Sequence, residues 1–180
     1  MTDNISLAGI TPDDKEQFIL DNQRAFKYGA QEEFGMRDDR MEEGEEVISR
    51  KTIERSMNGE QAETYRIVCH GKVVGGLILQ IDQQHAKGEL EILFVNPEVH
   101  SKGIGQAAWK AVERMHPEIH VWETITPYFE KRNIHFYVNR CGFHIVEFWH
   151  KYFHGPTIPE EEEGNWSEDD EMFLFRKIVD

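Results

Sequence analysis

Residues 94–109 read FVNPEVHSKGIGQAAW, and the way this stretch turns decides the fold. An apolar run stops at Pro97, glycines follow at 103 and 105, and a helical pattern begins at once. Apolar side chains at Ile104, Ala107, Ala108, Ala111, Val112 and Met115 form one stripe of a helix over 103–115. A strand that empties through glycines into a helix presents free backbone N–H groups to an anion. The first helical N–H groups have no intrahelical partner, and the helix dipole favours negative charge there. Gly103 and Gly105 let a phosphate approach the main chain closely, while Ser101 and Lys102 add a hydroxyl and a positive charge. The same glycines would also serve a tight strand-to-helix connection that binds nothing.

Other glycine motifs fit less well. A P-loop needs four residues between its first glycine and a Gly-Lys-Ser/Thr, and the stretch has no such run. A dinucleotide fingerprint needs a third glycine where Ala108 stands, and although alanine is tolerated there, the strands that precede this turn read as antiparallel rather than as an early βαβ unit.

Working outward, NISLAGI (4–10) reads as a short strand, and Thr11-Pro12-Asp13-Asp14 opens a helix that runs to about Tyr28. Gly35 to Gly44 is polar and reads as loop, and a second helix covers about 45–57 before Asn58-Gly59. Strands at 63–70 and 73–82 flank the hairpin signal His70-Gly71-Lys72, and GELEILFV (88–95) is the next strand. After the helix at 103–115 come a strand at 119–125 and a helix at about 128–141 between Pro127 and Gly142. A long aromatic strand at 143–153 and a final one at 171–178 enclose the acidic stretch PEEEEGNWSEDDE (159–171), read as a solvated loop or a lid that recruits cations. The order β-α-α-β-β-β-α-β-α-β-β indicates an α+β domain with a mixed central sheet of about seven strands flanked by helices, spanning residues 1–180.

Composition sets the outer limits. The chain has 180 residues, 39% hydrophobic and 30% charged, which suits one soluble domain with a sizeable core. No apolar run approaches the roughly 18 residues that span a bilayer, so no membrane partner is expected. MTDNISLAG lacks the basic and apolar regions of a signal peptide. Cys69 and Cys141 form no metal-type or redox-type spacing, and they are read as reduced thiols of a cytoplasmic protein. The nine histidines are scattered, and no metal is expected. A net charge of −14 argues against a nucleic-acid partner and is compatible with a cationic small substrate.

Two motifs at the right separation give the chain a specific resemblance. His100-Ser101-Lys102-Gly103-Ile104-Gly105 resembles the Arg/Gln-x-x-Gly-x-Gly/Ala pyrophosphate loop of the GNAT superfamily of acetyl-CoA-dependent N-acetyltransferases. Val95-Asn96-Pro97-Glu98 resembles the strand end before that loop, and NIHFYVNRCGF (133–143) resembles a second family motif. The order of elements also matches the GNAT fold over essentially the whole chain. His100 departs from the pattern, standing where arginine or glutamine is usual.

The resemblance implies a definite site for acetyl-CoA as acyl donor. The backbone of Leu93, Phe94 and Val95 would hydrogen-bond the pantetheine arm like an added strand. His100 and the amides of Lys102, Gly103, Ile104, Gly105 and Gln106 would lie at the pyrophosphate. Asn133 and Phe136 would hold the same cofactor arm, and Tyr137 would protonate the departing thiolate. An amine must also lose a proton before it attacks a thioester, and a positioned carboxylate can take it, directly or through water. Glu89 and Glu91 lie two residues apart on one strand face. Leu90-Glu91-Ile92-Leu93-Phe94-Val95 resembles the Leu-Glu-x-x-Phe-Val context of polyamine acetyltransferases, while the base of histone-type members falls at Glu89. Glu91 is therefore the first candidate for the base and Glu89 the second.

For the acceptor, VWETITPYFEKRN (121–133) gathers Trp122, Glu123, Thr124, Thr126, Tyr128 and Arg132 beside the expected catalytic end. An aromatic plus an acid can hold an ammonium, so Trp122, Glu123, Thr124 and Tyr128 are the expected acceptor-binding residues. The expected activity is transfer of acetyl to a primary amine, a small cationic one on the strength of the charge. The alternative is a non-catalytic acyl-CoA sensor of the same fold. The aromatic segment GFHIVEFWHKYFH (142–154) leaves a homodimer open.

Overall fold

The computed structural model describes residues 4–34, 47–99, 103–153 and 171–180. The expected loop at 35–44, His100, Ser101 and Lys102 of the glycine turn, and all but the last residue of the 159–171 stretch lie outside the described residues.

Seven strands form one sheet: β1 (Ile5–Gly9), β2 (Ala62–Cys69), β3 (Lys72–Asp82), β4 (Lys87–Val95), β5 (Val121–Pro127), β6 (His144–Trp149) and β7 (Met172–Ile178), in the spatial order β1-β2-β3-β4-β5-β7-β6. Every neighbouring pair is antiparallel except β4 and β5, which run parallel. Helices α1 (Lys15–Phe34), α2 (Arg50–Met57), α3 (Ile104–Met115) and α4 (Lys131–His135) complete the mixed α+β architecture that the element order predicts.

Boundaries moved where side chains intervene. Helix α1 passes Tyr28 to reach Phe34, and there the Tyr28 hydroxyl donates to Glu32 one turn on (2.9 Å). Helix α2 starts at Arg50 rather than near 45, because Ser49 caps it by accepting the Thr52 N–H (3.0 Å). Strand β5 continues to Pro127, held in register by β7, and α4 begins only at Lys131. Strand β6 ends at Trp149 rather than near 153, since His150 and Phe153 close a tight turn by exchanging main-chain hydrogen bonds.

The sheet is covered on both faces. On one, α1 and α2 bury Phe18, Ile19 and Ile53 against Ile78, Ile92 and Phe94. On the other, α3 and the segment after β5 bury Ile104, Trp109, Val112, Tyr137 and Phe143 against Leu77, Leu79, Leu90 and Phe175. Trp109 and Trp122 meet edge to face at 5.1 Å, and the Trp122 ring lies so close over Gly88 that a Cβ there would fall 2.3 Å from it.

Two features of β4 shape the functional region. Residues 92–95 pair with 78–75 of β3 and residues 87–90 with 82–79, leaving Glu91 as an extra residue, a β-bulge. The bulge reverses the alternation: Leu90 joins the α3 face, yet Ile92, two residues on, joins the α1 face. Pairing of β4 with β5 covers only Lys87–Glu89 against Val121–Glu123. Beyond Glu89 the strands part, β4 staying with β3 to Val95 and β5 staying with β7 to Pro127, so the sheet forks.

Helix α1 is tied to the sheet by charge as well as by packing. Arg66 on β2 is 4% exposed and donates to both Asp14 oxygens (2.7 and 3.0 Å) and to Asp21 (2.9 Å), with its guanidinium over the Phe18 ring. The Arg66 hydrogen bond holds Asp14 below its ordinary value of 3.8. A carboxylate held low in the folded state contributes stability that is full above that value and lost as pH falls through the folded one. Arg66→Met leaves two carboxylates without their cation and is expected to cost about 3 kcal/mol at pH 7. Urea unfolding should show this penalty shrinking between pH 5 and pH 2.5, and a constant penalty would mean that packing alone is lost.

Candidate active site

The fork is lined from three sides. From Leu93 to Val95, past the last residue paired with β5, β4 has an edge that faces away from β3 and meets no other strand. Leu93 and Val95 turn their side chains to the α3 face and Phe94 to the α1 face, so the segment offers its backbone to the fork.

At the open end stands the N-terminus of α3. Gly103 caps it at φ 73°, a left-handed conformation that favours glycine. The first main-chain bond of the helix runs from Ala107 N–H to the Gly103 carbonyl (3.0 Å), so the amides of Ile104, Gly105 and Gln106 precede the bonded turn. A Cβ on Gly105 would lie 3.2 Å from the Phe136 ring, so this glycine lets Phe136 close onto the helix start beside Val95. The Gln106 amide donates to the Arg140 carbonyl (2.7 Å), tying α3 to the segment after α4. Asn133 is exposed and donates to the Thr126 hydroxyl (3.3 Å) on the β5 side. Of the expected donor-site residues that the structure describes, Val95, Gly105 and Phe136 are thus brought together, and Asn133 stands against β5.

The segment after α4 is not the plain helix that its sequence predicts. Residues Phe136–Arg140 form a π turn, closed by Cys141 N–H bonding the Phe136 carbonyl five residues back (3.0 Å). Tyr137 sits in this turn, 9% exposed, among Phe136, Phe143 and Phe175. Burial pushes its phenol up to about 12, against a hydrogen bond with Thr124. The phenol is thus protonated at neutral pH. Thr124 gives its own hydrogen to the Leu90 carbonyl (2.7 Å), just where β4 and β5 part. While it does so it can only accept from Tyr137, whereas it can turn the same hydrogen onto a phenolate.

On the opposite face the carboxylates gather. Gln80, Glu89, Glu123 and Arg176 stand in register across β3, β4, β5 and β7. Gln80 donates to the Ser56 carbonyl of α2 (3.0 Å), which places this row on the α2 face. Burial, then Glu91 and Glu123, push Glu89 above its ordinary 4.5, with Lys87 opposing. Among the described residues no hydrogen bond ends on its carboxylate. Glu91, the bulged residue, is exposed and accepts from the Gln80 amide (3.1 Å).

Three of the four residues expected to bind the acceptor are committed elsewhere. Trp122 has no exposed surface and lies in the core on the other face from Glu89. Glu123 bonds Lys87 (2.6 Å) and Arg176 (2.7 Å), cations that outweigh its burial and hold it below the usual carboxylate range. Thr124 is buried between Leu90 and Tyr137, on the α3 face. Tyr128 is 39% exposed at the turn after β5, edge-on to Phe129 and Phe148. Across the rim, Arg132 and Glu32 of α1 form an ion pair (3.9 Å). Gln80 escaped the sequence reading although a signal existed, an amide ending the otherwise apolar run VVGGLIL.

Comparison with known proteins agrees with this geometry. The model of the acetyltransferase (GNAT) family matches residues 30–143. The chain is 41% identical over 169 residues to the uncharacterized protein YrkN of Bacillus subtilis (strain 168), covering 92% of this chain and 89% of that protein. The ribosomal-protein-S18-alanine N-acetyltransferase of Escherichia coli shares the fold, with a TM-score of 0.65 at 14% identity over 97% of this chain and 94% of that one. So does the PaiA N-acetyltransferase of Thermoplasma acidophilum, solved in complex with coenzyme A, with a TM-score of 0.61 at 16% identity over 98% and 99%. The family model spans more than half of the chain, which therefore belongs to the GNAT family of acetyltransferases.

Proposed function

We propose that the protein moves acetyl from acetyl-CoA to a primary amine by direct attack in a ternary complex. The observation that carries this reading is the fork. It leaves a strand edge for an extended arm, has a phenol on one face and, on the other, a half-buried carboxylate that accepts no hydrogen bond among the described residues.

The thioester supplies the activated acyl group, and the chain's own residues do the rest. Main-chain groups of Leu93–Val95 would take the pantetheine arm as an added strand, with Phe136 and Asn133 along its side. The amides from Gly103 to Gln106 would take the pyrophosphate, aided by the dipole of α3. His100 and Lys102 are assigned to the same contact from the family motif. Glu89 would accept the amine proton, directly or through a water. Its raised basicity suits a group that must be ionised yet able to hold a proton. Tyr137 would give its proton to the sulfur, and Thr124 would turn its hydrogen to the phenolate left behind. This assignment prefers Glu89 to Glu91 because Glu91 is already held by Gln80.

The acceptor is read as a small cationic amine. Glu89 and Glu91 share the α2 face with little nearby positive charge left over, since Lys87 and Arg176 are spent on Glu123. Such a face attracts cations, as does a net charge of −14.

Thiol release from acetyl-CoA over a panel of polyamines, aminoglycosides, amino acids and peptides tests the activity. Turnover with at least one small cationic amine is expected. Tight acetyl-CoA binding with no turnover on any amine would identify a sensor instead. Glu89→Gln should lower kcat about 100-fold or more with little change in the KM for acetyl-CoA. For the wild type, kcat/KM should fall as pH drops through a value above 4.5, because the base must be ionised. Tyr137→Phe should lower kcat about 100-fold while acetyl-CoA still binds, and wild-type turnover in that variant would remove Tyr137 from the reaction.

A further inference from the structure

Gln80 joins the bulge to a helix. Its side-chain nitrogen donates to the Ser56 carbonyl in the last turn of α2 (3.0 Å) and to Oε2 of Glu91 (3.1 Å). Both hydrogens of the amide nitrogen are thereby used, one on a main-chain acceptor that fixes the plane and one on the carboxylate. The space for that amide depends on Gly59, where a Cβ would lie 2.6 Å from one end of the Gln80 amide and 2.7 Å from the other. Gly59 follows α2, and its N–H bonds the Ser56 carbonyl (3.4 Å), so it belongs to the same corner. Glu91 is an exposed side chain on a bulge, a place where a carboxylate would otherwise swing freely in water.

We propose that Gln80 and Glu91 form a positioning pair for Glu89: the Gln80 amide pins the Glu91 carboxylate beside Glu89, so that Glu91 acts on the base and not on the amine. The inference rests on Glu89 being the base of the proposed reaction. The division of labour follows from who is bonded to whom. An anion held beside a second carboxylate makes that second group a better proton acceptor. Among the described residues, the charges facing Glu89 are Lys87 and Glu91 on its own strand and Glu123 on β5. Glu123 is neutralised by Lys87 and by Arg176 of β7, which leaves Glu91 as the uncompensated neighbour. Gln80 faces Glu89 from β3 as a neutral group.

Carbon-13 NMR titration of glutamate carboxyls reads the coupling without requiring any turnover, and the pH profile of kcat/KM reads it in the reaction. Glu91→Gln should move the Glu89 titration, and the acid limb with it, to lower pH by at least a few tenths of a pH unit. Gln80→Met should move both in the same direction by less. Gly59→Ala, which displaces the amide without touching the site, should mimic Gln80→Met. In a Glu91→Gln background, Gln80→Met should add nothing, and this separates an effect through Glu91 from mere loosening of α2. An unmoved titration in Glu91→Gln, or an undiminished effect of Gln80→Met in that background, overturns the proposal. Loss of turnover in Glu91→Gln with normal turnover in Glu89→Gln also overturns it, and exchanges the roles. If the wild type releases no thiol with any amine, the functional reading fails while the titration still decides whether Glu91 tunes Glu89.

Discussion

Parallel strands β4 and β5 hold together for three residue pairs and then separate, and the rest of the site is arranged around that separation. The cause lies two residues beyond the last pair. Glu91 is an extra residue in β4, and a bulge bends its strand and sharpens its twist. Strand β4 follows β3 and β5 follows β7, so neither half of the sheet is strained by the parting. Thr124 closes the apex, donating to the Leu90 carbonyl where a main-chain ladder would otherwise continue. The open backbone edge downstream has no ladder partner in β5, which is the condition an added extended segment requires.

The same bulge sorts the chemistry onto two faces. Because the alternation reverses at Glu91, the strand presents Glu89 and Glu91 toward α2 while Leu93 and Val95 return to the α3 side. Alternation on β5 does the complementary work, sending Glu123 toward the carboxylates and Thr124 toward Tyr137. In the proposed reaction a proton arrives from the amine on one side and leaves to the sulfur on the other. Two groups that exchange no hydrogen bond, one a raised carboxyl and one a buried phenol, suit those separate tasks.

Much of this was legible in the sequence. Gly103 and Gly105 announced a helix start, and the apolar stripe from Ile104 to Met115 fixed the helix length to within a residue. Alternation in GELEILFV gave the strand, but it could not reveal the bulge, because a bulge depends on the register with β3 and not on the pattern of one strand. Trp122 shows a different limit. Aromatic plus acid is a sound description of an ammonium pocket, yet a tryptophan beside Gly88 finds a flat surface to cover, and burial against Trp109 takes it. The ion pairs of Glu123 were out of reach for a related reason, since Lys87 and Arg176 are distant in sequence and meet it only through β4 and β7. The π turn carrying Tyr137 was equally out of reach, as its helical periodicity was intact and only the hydrogen-bond spacing changed.

A crystal structure with coenzyme A and a small cationic amine tests the central claim most directly. The account predicts the pantetheine arm lying in the fork, within about 3 Å of main-chain groups of Leu93 and Val95. It also predicts the sulfur facing the Tyr137 hydroxyl and the amine facing Glu89. A coenzyme bound outside the fork, or an amine on the α3 face away from Glu89, would contradict it.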